Sequence, residues 1–188
     1  MIANIIYLPQ RLELLKNELK RQHIDNYKLW EGFTDKTPRE NILKSHKQIV
    51  LDAKEKNESC VLIMEDDVYF PHKQGFKLFL EGVPKDNDFD IYLGGVYVVD
   101  GILNQNTQII KGFSGLHCYI VNKRFYDTFL SCESWNSNLD ALLNGKGKYV
   151  VQYPMTAIQH EIPSLNNIGN IYTHEGFFRN KKVLGLNC

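Results

Sequence analysis

Val61-Leu62-Ile63-Met64-Glu65-Asp66-Asp67-Val68 is the stretch on which the fold turns. Together with Ser59 and Cys60 before it, the run over residues 59–64 predicts a strand buried on both faces, as in the parallel sheets of α/β proteins. Three carboxylates follow it directly. Adjacent like charges repel, and burying them without compensation costs several kcal/mol each. Such a cluster is either a solvated acidic turn or a site that a divalent cation neutralises. Hard oxygen donors suit Mn2+ or Mg2+, which keep positions open for phosphate oxygens.

Working outward, the chain alternates strand-like and helix-like segments. Residues 2–8 form an apolar run that predicts a second buried strand. Residues 11–22 carry Leu12, Leu15 and Leu19 at helical spacing. A short strand is predicted over residues 27–30. A helix within residues 38–57 has Ile42, Ile49, Val50 and Ala53 on one side. Downstream of the motif a helix is expected over residues 71–80 and a strand over 89–93, ending at Gly94-Gly95. Residues 96–99 and 107–110 suggest a hairpin around a polar turn at 101–106. A strand over 116–121, a helix over 123–129, a helical turn over 139–143 capped by Asn138, and strands over 149–153 and 170–173 complete the pattern.

A β-α-β-α opening followed by a hairpin predicts an α/β fold with a mixed, mostly parallel sheet. Ligands bind such sheets at the carboxyl ends of the strands, which directs attention to the loops after Leu8, Met64 and Leu93. The length of 188 residues fits a single domain able to bury about 70% of its unfolded surface. The balance of 22 basic and 22 acidic residues gives no strong field for nucleic acid or anionic lipid. The short apolar start lacks a basic leader, and no run is long enough to span a membrane, so a cytoplasmic protein is expected. Cys60, Cys118, Cys132 and Cys188 show no metal-binding pair and are expected to be free thiols.

An apolar strand followed by Glu65-Asp66-Asp67 resembles the carboxylate motif of glycosyltransferases with the GT-A, nucleotide-sugar-binding fold. Further pieces, in order along the chain, resemble glycosyltransferase family 25, the lipopolysaccharide and collagen-type sugar transferases. They are Ile6-Tyr7-Leu8-Pro9-Gln10-Arg11, Trp30-Glu31-Gly32, Ser45-His46, Asp90-Ile91-Tyr92-Leu93-Gly94 and Gly115-Leu116-His117-Cys118-Tyr119-Ile120. The resemblance runs through about Gln159. It implies a nucleotide-sugar-binding half over residues 1–95, an acceptor-side half over 96–177 and a basic tail over 178–188.

The resemblance also implies roles. Asp67 would hold the metal that binds the donor diphosphate, and Glu65 and Asp66 would touch the ribose or support the metal through water. Leu8, Pro9, Arg11 and Gly94 would line the donor site. Asp140, in Asn138-Leu139-Asp140, would take the proton of the acceptor hydroxyl in an inverting transfer. His174 is the expected further metal ligand, with His160 the competing one. Trp30 and Trp135 are candidates for stacking on a base or sugar, and His117 for lining the acceptor side. The expected donor is a nucleoside-diphosphate sugar, with UDP as nucleotide. The acceptor is a saccharide, a hydroxylated side chain or a hydroxylated DNA base. A non-catalytic relative that keeps the fold and a metal-dependent phosphohydrolase are the rival classes.

Overall fold

The Val61–Met64 run does form the interior of a strand, β3 (Cys60–Glu65), whose four apolar side chains are almost wholly buried. The computed structural model describes residues 1–104, 109–133 and 137–160. Before β3 come β1 (Ala3–Tyr7), a 3-10 turn (Pro9–Arg11), α1 (Leu12–Arg21), β2 (Tyr27–Glu31) and α2 (Pro38–Glu55). After it come β4 (Val68–Tyr69), α3 (Gly75–Glu81), β5 (Ile91–Leu93), β6 (Val98–Asn104), β7 (Ile109–Ser114) and β8 (Cys118–Asn122). A 3-10 turn (Lys123–Phe125), α4 (Tyr126–Leu130), α5 (Leu139–Leu143), β9 (Tyr149–Val151) and β10 (Ile158–Gln159) follow.

Eight strands form one sheet in the order β2-β1-β3-β8-β5-β9-β7-β6. β1 pairs in parallel with both β2 and β3, and β5 with β9. β8 runs against β3 and β5, and β7 against β6 and β9. Only β7 and β8 therefore oppose the common direction. β4 and β10 make a separate antiparallel pair that sets Gln159 beside Val68.

The side-chain alternation of β3 divides the core. Val61 and Ile63 join one cluster with Leu43, Ile49 and Val50 of α2, Phe129 of α4 and Leu143 of α5. Leu62 and Met64 join the other with Leu15 and Leu19 of α1 and Phe79 of α3. Helices thus cover both faces of the sheet, which is why β3 could be read as a continuous apolar run. α2 begins sharply because Thr37 accepts from the Glu40 N–H, Glu40 accepts in return from the Thr37 N–H, and Pro38 occupies the first turn.

Three expectations are corrected. β6 continues through residues 101–104, expected as a turn, because ladder pairing to β7 with a bulge between Ile102 and Asn104 outweighs the local glycine and asparagine signals. The helix expected from residue 71 starts only at Gly75, since the preceding residues form a turn in which the Gly75 N–H donates to the His72 carbonyl. Asn138 occupies the position before α5 without a side-chain cap bond. The strand expected over 170–173 lies outside the described residues. Cys118 and Cys132 are free and buried, and Cys60 is free and half-buried. Among the described residues no helix is long and apolar enough to cross a membrane.

Leu62 is fully buried between Ala3 of β1 and Ile120 of β8. Leu62→Ala should cost ~2–5 kcal/mol and lower the melting temperature by roughly 5 °C or more for a domain this size. Urea denaturation measures it, and a loss below about 1 kcal/mol would remove β3 from the centre of the core.

Candidate active site

The parallel register places Ile6 beside Glu65 and Tyr7 beside Glu31, so the chain leaves β1, β2 and β3 at the same sheet edge. A cleft of about 440 Å3 opens there. Its walls include Leu8 and Arg11 after β1, Gly32 and Phe33 after β2, and Lys36 and Arg39 at the start of α2. Glu65, Asp66 and Asp67 line it together with His46, and from the later chain Tyr97, Ser114, Gly115, Asp140, Gln159 and His160.

Each oxygen of the three clustered carboxylates faces a protein donor. Asp66 Oδ2 accepts from the Leu8 N–H at 2.7 Å and Oδ1 from Arg11 Nη1 at 3.1 Å. The same Nη1 reaches Asp67 Oδ2 at 3.1 Å. Gln159 Nε2 lies between Asp67 Oδ1, at 3.4 Å, and Glu65 Oε2, at 3.2 Å. Glu65 Oε1 is 3.1 Å from His46 Nε2, and His46 Nδ1 is 2.6 Å from the Tyr119 hydroxyl. A carboxylate only accepts, so the His46 Nε2–H donates to Glu65 and the tyrosine sits at the other ring nitrogen.

These donors do not balance the charge. Burial, and then the neighbouring Glu65 and Asp66 charges, push Asp67 up to about 8 despite Arg11 and Gln159. Burial also raises Asp66, against the opposing pull of the Leu8 N–H and Arg11. Glu65 goes the other way: burial alone would raise it, but the bond and charge of His46, with smaller contributions from His117 and Gln159, hold it below its ordinary value.

Asp140 enters the cleft from the first turn of α5. Its Oδ2 accepts from Ser114 Oγ at 2.8 Å and from the Gly115 N–H at 3.1 Å, and its Oδ1 accepts from the Ala141 N–H at 2.8 Å. Gly115 adopts φ +111°, a conformation that side-chain-bearing residues avoid. The carboxylate is thereby held by three donors with one lone pair remaining on Oδ1.

The structure brings Leu8, Arg11, Glu65, Asp66, Asp67, Asp140 and His160 to one cleft. Pro9 is exposed at the start of its 3-10 turn and is not part of the cleft wall. Gly94 does not line the cleft. It is buried where a Cβ would meet Ala157 and Phe79 at 3.1 Å. Its carbonyl accepts from the Thr156 and Ala157 N–H groups. His117 does not line the cleft either: it is fully buried, its Nε2 lies 3.1 Å from the Ala157 carbonyl, and burial lowers its pKa. Trp30 donates to Asn4 Oδ1 and packs under Lys28, outside the cleft. His174, Trp135 and the basic tail lie outside the described residues. Gln159, Ser114 and the Tyr119 hydroxyl behind His46 carry no sequence signal that would have assigned their partners. All depend on contacts between distant segments.

No protein-family model matches the chain, and no curated protein matches it in sequence. Solved structures do share its fold. A197 from STIV is 11% identical, with TM-score 0.53, covering 92% of this chain and 98% of that one. HddC from Yersinia pseudotuberculosis complexed with GMP-PN is 12% identical, with TM-score 0.51, covering 97% and 99%. A glycosyltransferase involved in the glycosylation of the major capsid of PBCV-1 is 16% identical, with TM-score 0.51, covering 81% and 82%. At these identities the likeness establishes a common α/β architecture.

Asp67 has an ordinary carboxylate value of 3.8 and a folded value of about 8. Between these pH values the folded chain holds a proton that the unfolded chain releases, so this group's contribution to stability falls as pH rises, by up to about 1.4 kcal/mol per unit. Asp67→Asn should therefore gain on wild type as pH increases from 5 to 8. Urea midpoints of both proteins in EDTA measure the difference. A constant difference across that range would mean that Asp67 is ionised throughout.

Proposed function

We propose that this cleft binds a nucleoside-diphosphate sugar, with UDP as the nucleotide, and transfers the sugar to an acceptor hydroxyl with inversion. The observation that carries this reading is the meeting, in one cleft, of the acidic cluster behind β3 with Asp140 from the start of α5. A chain with the motifs of glycosyltransferase family 25 would need both, one to hold the donor and one to activate the acceptor. Lys36 and Arg39 add positive charge to the same wall, at the N-terminal end of α2, where backbone N–H groups and the helix dipole favour phosphate.

The chemistry of the cluster fits a divalent cation. Among the described residues the three carboxylates meet the Arg11 guanidinium, and burial, then the neighbouring Glu65 and Asp66 charges, pushes Asp67 up to about 8. Among the described residues no three His, Cys, Asp or Glu side chains gather as a complete metal site. Mn2+ and Mg2+ commonly take one or two carboxylates and complete their coordination with water and substrate phosphate. Asp67, the less buried of the two aspartates, would hold the ion, with His174 an added ligand. When bound, such an ion offsets charge that develops on the leaving diphosphate.

The remaining work falls to the chain itself. Asp66 ties the turn after β1 to the end of β3 and so shapes the donor wall. His46 and Gln159 orient Glu65 towards the cleft, where its carboxylate can accept from a ribose hydroxyl. Asp140 accepts the proton of the acceptor hydroxyl through the remaining lone pair of Oδ1, while Ser114 and the Gly115 N–H fix the carboxylate from Oδ2.

Two outcomes follow. UDP at 100-fold its dissociation constant should stabilise the fold by ~2.7 kcal/mol. The shift in thermal melts should be large with Mn2+ and small with EDTA, and free UDP should appear slowly from UDP-sugars under the same conditions. Equal shifts with and without metal would take the ion out of this reading, and no shift with any nucleotide would overturn it. Asp140→Asn should lower sugar transfer ~10²–10⁴-fold, the usual contribution of a general base, while the UDP-dependent melting shift stays at the wild-type value. Transfer at the wild-type rate would place the base elsewhere.

A further inference from the structure

The two aspartates of the cluster are held unequally. Asp66 is 5% exposed and receives both a backbone N–H, at 2.7 Å, and the Arg11 guanidinium. Asp67 receives Arg11 Nη1 at 3.1 Å and a long 3.4 Å contact from the Gln159 amide. Its side chain is 15% exposed, against 7% for Asp66. Arg11 itself stands on the 3-10 turn whose first backbone donor, Leu8, is fastened to Asp66. Its guanidinium therefore lies beside Asp67 Oδ2, where it would compete with a cation that reached that oxygen. A divalent ion and a guanidinium cannot both sit at hydrogen-bonding distance from one oxygen without strong repulsion.

We propose that Arg11 is the resident counter-cation of the acidic cluster, and that it exchanges with the metal at Asp67 when metal and nucleotide bind together. This rests on the nucleotide and metal reading of the cleft and deepens it. On metal entry Nη1 leaves Asp67, the arginine keeps Asp66, and its released donors turn to the anionic diphosphate. No covalent bond changes. Metal alone binds weakly, because it must break the Arg11–Asp67 pair and leave that donor without a phosphate to meet. Nucleotide supplies the new partner. Binding of each is thereby coupled to the other through one side chain, and the coupling is reciprocal.

The test measures Mn2+ binding to the full chain from the free-ion paramagnetic resonance signal, with and without UDP, in wild type and Arg11→Met. In wild type, UDP should tighten Mn2+ by a factor between about 5 and 150. Arg11→Met should bind Mn2+ about tenfold tighter than wild type without UDP, and the gain from added UDP should shrink towards none. Arg11→Lys, which keeps a charge near Asp67, should retain weak binding of metal alone. Should Arg11→Met fail to fold by circular dichroism, Arg11→Gln repeats the comparison with a donor retained for Asp66. Equal Mn2+ affinity of wild type and the neutral variant without UDP, or unchanged coupling, overturns the exchange while leaving the metal site standing. Absence of Mn2+ binding in every variant, with UDP still raising the melting temperature, overturns both the exchange and the metal reading but not nucleotide binding.

Discussion

The 2.7 Å bond from the Leu8 N–H to Asp66 Oδ2 joins the end of β1 to the end of β3, and much of the site hangs on it. Three adjacent carboxylates cannot be carried to the end of a buried strand unless donors wait for them. The parallel pairing of β1 with β3 brings those donors. It sets Ile6 beside Glu65, so the turn that follows β1 arrives over Asp66 and Asp67 with one free backbone N–H and one arginine. α2 brings His46 under Glu65 from the adjoining layer, and β10 returns Gln159 from the end of the described chain. The cluster is thus a junction of four segments rather than a local turn.

Among the described residues that junction is satisfied in hydrogen bonds but not balanced in charge. Hydrogen bonds orient the carboxylates, but a single guanidinium cannot neutralise three of them. Burial and the neighbouring charges push Asp67 up to about 8, so it is the acid that favours keeping its proton, whereas Glu65 is held down by His46. An acid held where its ionised form is penalised is a pattern met both at functional sites and in structural ion-pair networks.

What could be read from the sequence was whatever is local. The strand over residues 59–64 and the helical turn over 139–143 could be read, because burial on both faces and apolar spacing are written in consecutive residues. The three carboxylates after Met64 and Asp140 were visible for the same reason. Gly94 lies off the cleft wall: a glycine after a strand signals close approach without saying of what, and here Ala157 and Phe79 approach it. Gln159 could not be found: β10 has two residues, and its partner Val68 is far away in the chain. The pairing of Arg11 with both aspartates was equally hidden, since sequence shows a base near a strand end but not which acids it will meet.

The segment from Ser114 to His117 links Asp140 to the carboxylates at the end of β3. Ser114 Oγ and the Gly115 N–H hold Asp140, while the His117 carbonyl accepts from the Glu65 N–H at 3.0 Å. Four consecutive residues therefore bear on both the proposed base and the proposed donor site, so their relative placement is governed by the rigidity of this segment. His117 secures it from beneath by bonding to the Ala157 carbonyl, and the Ala157 N–H in turn bonds to the carbonyl of Gly94. Gly94 and His117, neither of which lines the cleft, thus belong to its support. A side chain at Gly94 would push Ala157 away and loosen the brace behind His117. The requirement for glycine there comes from the close approach of Ala157, Phe79 and the Cys118 carbonyl.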